Sequence, residues 1–267
     1  MAGVGPVRKA MTIAGSDSGG GAGIQADLKT FAALGVYGTS VLTAITAQNT
    51  VAVTGVHEIP TDIIVAQIDA VITDIGADAV KTGMLASSSI IEAVAGEMER
   101  HQVRWLVVDP VMVAKSGDSL LREDAVDVLR SRLIPLAAVV TPNIPEAEAL
   151  TETKIDSDAD MRRAAEKIVG MGARTVVVKG GHRKGPATDL FYDGSGFREF
   201  SAPRIDTANT HGTGCTFASA VAAGLARGMD VADSVALAKD YVTEAIRRSF
   251  PIGRGHGPLN HFYKLWG

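Results

Sequence analysis

Cysteine is almost absent from this sequence, because Cys215 is the only one among 267 residues. A single cysteine cannot form an internal disulfide bond, which favours a reducing compartment. Long apolar runs are missing too: none approaches the roughly 18 residues that a membrane-spanning helix needs. The N-terminal apolar segment, residues 10–14, is too short for the core of a signal peptide. We therefore expect a cytoplasmic protein.

Clustered positive charge is also scarce. The formal net charge is −4, and no basic cluster is longer than the pair Arg247-Arg248. Nucleic acids and anionic membranes attract basic patches, so neither is an expected partner. Hydrophobic residues make up 46% and charged residues 21% of the chain, which is typical of a globular protein. With no internal repeat or linker in the sequence, we expect a single domain over residues 1–267.

The sequence does contain a glycine-rich turn around its cysteine, at residues 209–216, followed by a helix-forming stretch at 217–227. Gly212 and Gly214 allow a tight turn with exposed N–H groups, and a helix start adds unpaired donors and the positive end of its dipole. This is a cradle for an anion, and the same donors favour a thiolate at Cys215. Taken singly, a lone cysteine is usually a small buried residue and a Gly-x-Gly turn only a connection. Their coincidence favours a functional site.

Strands alternate with helices through most of the chain. Strands are predicted near residues 7–14, 37–47, 78–82, 104–110, 137–143 and 175–179, and helices near 24–34, 61–73, 87–100, 120–133, 158–171 and 231–248. This alternation predicts an α/β fold in which a mainly parallel sheet carries helices on both faces, a doubly wound arrangement. A small antiparallel pair is expected near residues 189–192 and 197–201.

Residues that follow the predicted strands are candidates for a site, since ligands bind at the carboxyl ends of parallel strands. This set is rich in glycine and acids and contains one lysine. It comprises Gly15, Asp17, Gln48, Asn49, Gly83, Met84, Asp109, Asn143, Glu146, Lys179 and the cradle at 212–215. Such a set suits phosphoryl transfer, because N–H groups and a lysine neutralise the phosphoryl group while acids hold Mg²⁺ through water.

Several candidates also fit structural roles. Asn143 and Glu146 have the spacing of a helix capping box. Asp27, one turn into the first helix, would by default lie on the solvent face of that helix. His211 fits a general base and a local hydrogen-bonding residue equally well.

A dinucleotide-binding fingerprint, Gly-x-Gly-x-x-Gly/Ala, is matched by residues 21–26 between a predicted strand and helix. That fingerprint also requires an acidic residue about 20 positions later, at the end of the second strand. Here the strand ends in Gln48-Asn49-Thr50. The missing acid argues against a nicotinamide-dependent oxidoreductase.

Seven motifs, taken together, resemble those of the bacterial hydroxymethylpyrimidine/phosphomethylpyrimidine kinases of thiamine biosynthesis, a family of the ribokinase-like superfamily. They lie at residues 14–30 (AGSDSGGGAGIQADLKT), 47–50 (AQNT), 81–85 (KTGML), 109–112 (DPVM), 141–147 (TPNIPEA), 179–182 (KGGH) and 211–216 (HGTGCT). The resemblance runs from about residue 8 to the C-terminus. It implies a ribokinase-like sandwich and an ATP- and Mg²⁺-dependent kinase that is usually a homodimer. Such a kinase phosphorylates 4-amino-5-hydroxymethyl-2-methylpyrimidine and then converts the monophosphate to the diphosphate.

The resemblance also implies roles for individual residues. The pyrimidine pocket of the family falls on Gly15, Asp27, Gln48, Met84 and Val111. Its phosphate and Mg²⁺ element falls on Asn143, Glu146, Asp109 and Lys179, with Glu146 and Asp109 acting through water. The catalytic anion hole falls on Gly212, Thr213, Gly214 and Cys215. A fused phosphate synthase domain, found in some relatives, is not expected. Pyridoxal kinase and a catalytically silent ligand sensor remain the alternatives.

Overall fold

The computed structural model describes residues 6–113, 120–122, 124–181 and 185–266, so one position of the predicted helix 120–133 and His182 lie outside the described residues. The strands are β1 (Lys9–Asp17), β2 (Tyr37–Gln48), β3 (Val53–Glu58), β4 (Ala79–Thr82), β5 (Leu106–Val108), β6 (Val139–Val140), β7 (Val176–Val178), β8 (Ala187–Tyr192) and β9 (Phe197–Ala202). The helices are α1 (Gly23–Ala33), α2 (Thr61–Asp74), α3 (Ser88–Arg100), α4 (Ala125–Val128), α5 (Ile144–Thr151), α6 (Asp158–Gly170), α7 (Thr213–Ala226) and α8 (Val231–Arg247).

All nine strands belong to one sheet with the order β3-β2-β1-β4-β5-β6-β7-β8-β9. The six strands from β2 to β7 in this order are parallel, whereas β3 at one edge and β8 and β9 at the other are antiparallel. The predicted mainly parallel α/β sheet is therefore confirmed. The carboxyl ends of parallel strands all lie on the same side of the sheet, so the residues that follow these strands lie close together.

Helices cover both faces of the sheet. Alternate residues of a strand point to opposite faces, so Leu106 and Val108 join the core under α2, α3, α5 and α6, while Val107 joins the core under α1, α7 and α8. This double burial explains why the central strands are valine-rich, since β-branched side chains suit a strand covered on both sides.

Two elements differ from the sequence-based prediction. The helix expected over residues 120–133 is α-helical only in α4, and continues as a π-helix at Leu129–Leu133 and a 3₁₀ turn at Ile134–Leu136. Pro135 lies in this 3₁₀ turn, and because proline lacks an N–H donor it cannot continue the α-helical hydrogen bonds. The central helix, α7, begins at Thr213 rather than near Phe217, which places Cys215 inside its first turn.

The C-terminal segment returns to the start of α7. Gly257 accepts a hydrogen bond from the His211 N–H at 3.0 Å, and the Thr216 hydroxyl lies 2.9 Å from His261 Nε2. Tyr241 of α8 donates to the His261 carbonyl at 2.7 Å. These contacts hold the C-terminal segment against the turn that precedes α7. Within the described part of the chain, no helix has the length and apolar character needed to cross a membrane.

Candidate active site

The anion cradle forms at the junction of two loops. Gly212 has a φ of +81°, and a Cβ atom there would lie 1.8 Å from the carbonyl oxygen of Gly21, so only glycine fits. Gly214 and Cys215 occupy the first turn of α7, where helices leave backbone N–H groups without intrahelical acceptors. The predicted cradle at residues 212–215 is thus a helix N-terminus with the geometry for an anion.

An Asp17–His211 contact holds the glycine-rich loop against this helix. The Asp17 carboxylate lies 2.8 Å from His211 Nε2 and accepts hydrogen bonds from the N–H groups of Gly19 at 2.7 Å and Ala22 at 2.8 Å. Burial alone would raise the pKa of Asp17, but the His211 contact and these N–H groups together lower it below its usual value. Of the two roles that the sequence left open, this geometry favours His211 as a local hydrogen-bonding residue rather than a free base.

The thiol of Cys215 does not have the environment that the sequence suggested. Burial raises the pKa of this thiol to about 11; the Lys81 ammonium opposes that rise, and the carboxylates of Asp27 and Asp109 add to it. The expectation of a thiolate at neutral pH is therefore wrong. The sequence indicates the effect of the helix dipole on the thiol pKa. It does not indicate burial or the two nearby carboxylates, because both depend on the tertiary fold.

Lys179, Asp109 and Glu146 form a charged cluster beside the cradle. Lys179 Nζ donates to Asp109 Oδ1 at 3.0 Å, and a Cβ atom on Gly214 would lie 3.3 Å from the same ammonium. Asp109 Oδ2 is buried and accepts no hydrogen bond from the described residues. An unsatisfied buried carboxylate oxygen next to a second carboxylate is suited to a cation or to the water around one.

Glu146 has the capping role that its spacing predicted, whereas its role toward Mg²⁺ stays a prediction. The capping box is present: the Asn143 N–H donates to Glu146 Oε2 at 2.7 Å, and the Glu146 N–H donates to Asn143 Oδ1 at 2.9 Å. Burial raises the pKa of Glu146 to about 7, with Lys179 opposing the rise and Asp109 adding to it. A buried carboxyl that titrates near neutrality is uncommon for a residue that only caps a helix.

The predicted pyrimidine pocket is partly assembled. A Cβ atom on Gly15 would lie 3.1 Å from Met84 Sδ, so these two residues touch, and Gln48 Nε2 lies 3.5 Å from His211 Nε2. Gln48 and Val111 are half-buried, while the Met84 side chain is almost fully buried. Their roles toward a substrate stay predictions.

Asp27 is placed differently from the rest. Its side chain is fully buried, and its two oxygens bind Lys81, Thr12 and Ser219. The prediction that Asp27 lies on the solvent face of α1 is therefore wrong, because Asp27 lies on the face of α1 that packs against the sheet and α7. Sequence analysis gave Lys81 and Ser219 no role. A lysine inside the four-residue buried strand β4 was the available signal, since lysine is almost never fully buried unless paired.

Comparisons with known proteins agree on one family. The family model described as phosphomethylpyrimidine kinase matches residues 17–260. The hydroxymethylpyrimidine/phosphomethylpyrimidine kinase of Rhizobium meliloti is 55% identical over 261 residues, covering 96% of this chain and 98% of the relative. The thiamine biosynthesis bifunctional protein ThiED of Geobacter sulfurreducens is also 55% identical, over 257 residues. These residues cover 96% of the present chain but only 52% of the length of ThiED.

A solved structure with a pyridoxal kinase name shares the fold. An ADP complex of Bacillus subtilis pyridoxal kinase superposes with a TM-score of 0.90 at 44% identity, over 96% of this chain and 98% of that one. The family model covers residues 17–260, which include every residue of the cradle and of the charged cluster. The Rhizobium meliloti relative covers 96% of the chain. The chain therefore belongs to the phosphomethylpyrimidine kinase family.

Proposed function

We propose that this protein is an ATP-dependent kinase that phosphorylates 4-amino-5-hydroxymethyl-2-methylpyrimidine and then its monophosphate, in thiamine biosynthesis. The observation that carries the proposal is the position of the Lys179–Asp109 pair directly beside Gly214 in the first turn of α7. Positive charge and free N–H groups thus converge on one point, which is what a transferred phosphoryl group requires. Relatives of this family carry the same activity in their names.

Each part of the site has a distinct task in this proposal. The N–H groups at residues 212–215 and the Lys179 ammonium stabilise the negative charge of the moving phosphoryl group. Cys215, in its thiolate form, accepts the proton of the hydroxymethyl group in the first reaction. In the second reaction the nucleophile is a phosphate oxygen that is already anionic, so it needs little deprotonation. Catalysis of the second step therefore depends mainly on positioning and on charge neutralisation.

A divalent cation, Mg²⁺, fits the charged cluster. Asp109 and Glu146 would hold it through water, because the buried Asp109 Oδ2 has no donor among the described residues. Such a cation would supply positive charge between the phosphates of ATP. Lys179 forms an ion pair with Asp109. The cluster therefore contains one ammonium group of the protein and two carboxylates that would hold the Mg²⁺ ion.

The direct test is product analysis by mass. Incubation with ATP, Mg²⁺ and the hydroxymethylpyrimidine should yield first the monophosphate and then the diphosphate. Removal of Mg²⁺ with a chelator should stop both reactions. ATP turnover without any phosphorylated pyrimidine would contradict the proposal, and so would the absence of turnover, which is what a silent ligand sensor would show.

Gln48 is expected to recognise the pyrimidine. Its amide presents one donor group and one acceptor, which matches a ring nitrogen next to an amino group. Gln48→Leu should weaken pyrimidine binding about tenfold, or about 1.4 kcal/mol, which is the scale of one hydrogen bond to a neutral partner. ATP affinity should stay unchanged. Calorimetric titration with each ligand measures both, with Gln67→Leu as the control, since Gln67 bonds to the backbone of Leu42 away from the site.

Pyridoxal phosphorylation is proposed as a side activity. It is supported by the close superposition with Bacillus subtilis pyridoxal kinase. Steady-state rates with the hydroxymethylpyrimidine, its monophosphate and pyridoxal under one set of conditions rank the three substrates. A higher kcat/KM for pyridoxal would make that activity the main one.

Assembly and location complete the proposal: a cytoplasmic homodimer in which residues 1–267 form a single kinase domain. The dimer is what the resemblance to the family implies. Light scattering after gel filtration gives the mass. A monomer at micromolar concentration would contradict the dimer and leave the kinase proposal intact.

A further inference from the structure

A buried polar network lies under the site and joins four elements. Lys81 on β4 binds both oxygens of Asp27 on α1, at 2.9 and 3.1 Å. Thr12 on β1 and Ser219 on α7 each donate to the same carboxylate at 2.6 Å. Thr12 and Lys81 are direct neighbours in the register of β1 and β4, so their side chains leave the sheet side by side.

Stability alone does not account for this network. All four side chains are fully buried at 0% exposure. Removing two charges from water costs more than such a pair commonly returns, and apolar residues of similar volume are often at least as stable in its place. A fully buried ion pair next to a site is therefore weak evidence of stabilisation and better evidence of an electrostatic role.

The network lies directly behind Cys215. Ser219 is four residues after Cys215 and so lies on the same side of α7, one turn further along. A Cβ atom on Gly83 would be 2.8 Å from Lys81 Nζ, which places the ammonium against the backbone that leads to Met84 and the pocket. The ammonium thus lies between the sheet, the cradle helix and the predicted pyrimidine pocket.

We propose that Lys81 is a positioning residue for phosphoryl transfer: its ammonium, held by Asp27, to which Ser219 donates one helical turn from Cys215, favours the thiolate that the first reaction needs. This inference rests on the proposed kinase function. Charged groups act on the thiol from four elements: Lys81 from β4, Asp27 from α1, Asp109 after β5 and Lys179 after β7. Lys81 is the cation with the largest effect on the Cys215 pKa, and Asp27 the carboxylate with the largest.

The two charges of the pair act on Cys215 with opposite signs, which gives the test its force. Lys81→Met removes the ammonium that favours the thiolate, so the thiol should react more slowly. Asp27→Asn removes the carboxylate that disfavours the thiolate, so the thiol should react faster. A variant that merely loosened the core would expose Cys215 and speed the reaction in both cases.

Alkylation by iodoacetamide measures the thiolate directly, because Cys215 is the only cysteine. Below the pKa of the thiol, its rate at fixed pH follows the thiolate fraction. We expect at least a tenfold slower reaction for Lys81→Met and at least a tenfold faster one for Asp27→Asn at pH 8, each corresponding to about one pKa unit. Changes in the same direction in the two variants, or none, would overturn the proposal.

A milder pair of variants covers the case in which Lys81→Met does not fold. Ser219→Ala withdraws one hydrogen bond from Asp27 and leaves the ion pair in place, so the carboxylate is less neutralised and alkylation should slow about threefold. Ser234→Ala is the matched control, because Ser234 is equally buried but donates to the Asp230 carbonyl on α8. Equal rates for the two serine variants would also overturn the proposal.

Kinase assays on the same variants separate this inference from the proposed function. The first phosphorylation should follow the alkylation rates across the variants and across pH, whereas the second should change much less. Opposite alkylation shifts without any kinase activity would support control of Cys215 by the network and contradict the kinase. Kinase activity in wild type with unshifted alkylation would contradict the role of Lys81 alone.

Discussion

Replacing Cys215 with alanine is expected to slow the first phosphorylation by about 10²-fold or more, the usual scale for loss of a general base, and the second distinctly less. The alcohol of the first substrate must lose a proton as it attacks. The phosphate oxygen of the second substrate carries its charge already. The cradle N–H groups and Lys179 remain in the variant, so positioning and charge neutralisation continue to act in both steps.

The raised pKa of Cys215 adds a pH signature to this prediction. With a pKa of about 11, the thiol is protonated at neutral pH. At pH values below 11 the thiolate fraction rises about tenfold for each unit by which the pH increases. The kcat/KM of the first reaction should therefore rise steeply between about pH 8 and 9.5, above the titration of Glu146, and that of the second should stay nearly flat.

Single-turnover assays with each pyrimidine and saturating ATP measure the two steps separately. Cys215→Ser is the size-matched control: a hydroxyl is a weaker acid than a thiol, so this variant should lose the pH-dependent part of the first step and leave the second near the wild-type rate. Equal losses in both steps would show that Cys215 acts on the phosphoryl group rather than on the proton of the alcohol.

Replacing Glu146 with glutamine is expected to lower both phosphorylation rates by about 10²-fold while making the protein more stable at pH 8. The rate falls because a carboxylate that would help hold Mg²⁺ near the phosphates is lost, and one preorganised electrostatic group is commonly worth this much. The fold should persist, because glutamine can replace glutamate in a capping box with Asn143.

The gain in stability follows from the sign of the pKa change. Burial raises the pKa of Glu146 from 4.5 to about 7. As pH rises from about 4.5 to 7, the unfolded chain releases this proton before the folded protein does, so the wild type loses stability through that window. Above pH 7 the folded wild type holds a buried carboxylate that glutamine does not have, and the variant should be more stable by about 3 kcal/mol.

Urea unfolding at pH 5 and pH 8, together with initial rates, tests both halves of this prediction. The difference in free energy of unfolding between variant and wild type should be larger at pH 8 than at pH 5. Glu148→Gln, on the same helix, is the control: a hydrogen bond from the Ile155 N–H lowers the pKa of Glu148, so its neutral replacement should not stabilise the protein and should leave the rates near wild type. No gain at pH 8 for Glu146→Gln would contradict the buried-carboxylate interpretation.

Local sequence signals predicted the frame of the site well. The Gly-x-Gly turn, the capping box of Asn143 and Glu146, and the polar residues after buried strands are short-range patterns, and the structure brings the cradle, Lys179, Asp109 and Glu146 together at one edge of the sheet. Parallel strands that end at one edge explain why such a list becomes a site. The helix expected over residues 120–133 was less predictable, because its change to π and 3₁₀ geometry depends on Pro135 and on packing.

The sequence by itself determined the α/β alternation, the glycine-rich turn before α7 and the family to which the chain belongs, because these depend on residue order over a few to a few dozen positions. Only the tertiary structure decided the charge states around Cys215. Lys81 and Asp27 are 54 positions apart, and Asp27 and Ser219 are 192 positions apart, yet they share one buried network. Proton affinities depend on burial and on the distances between charges, and both arise when distant segments pack together.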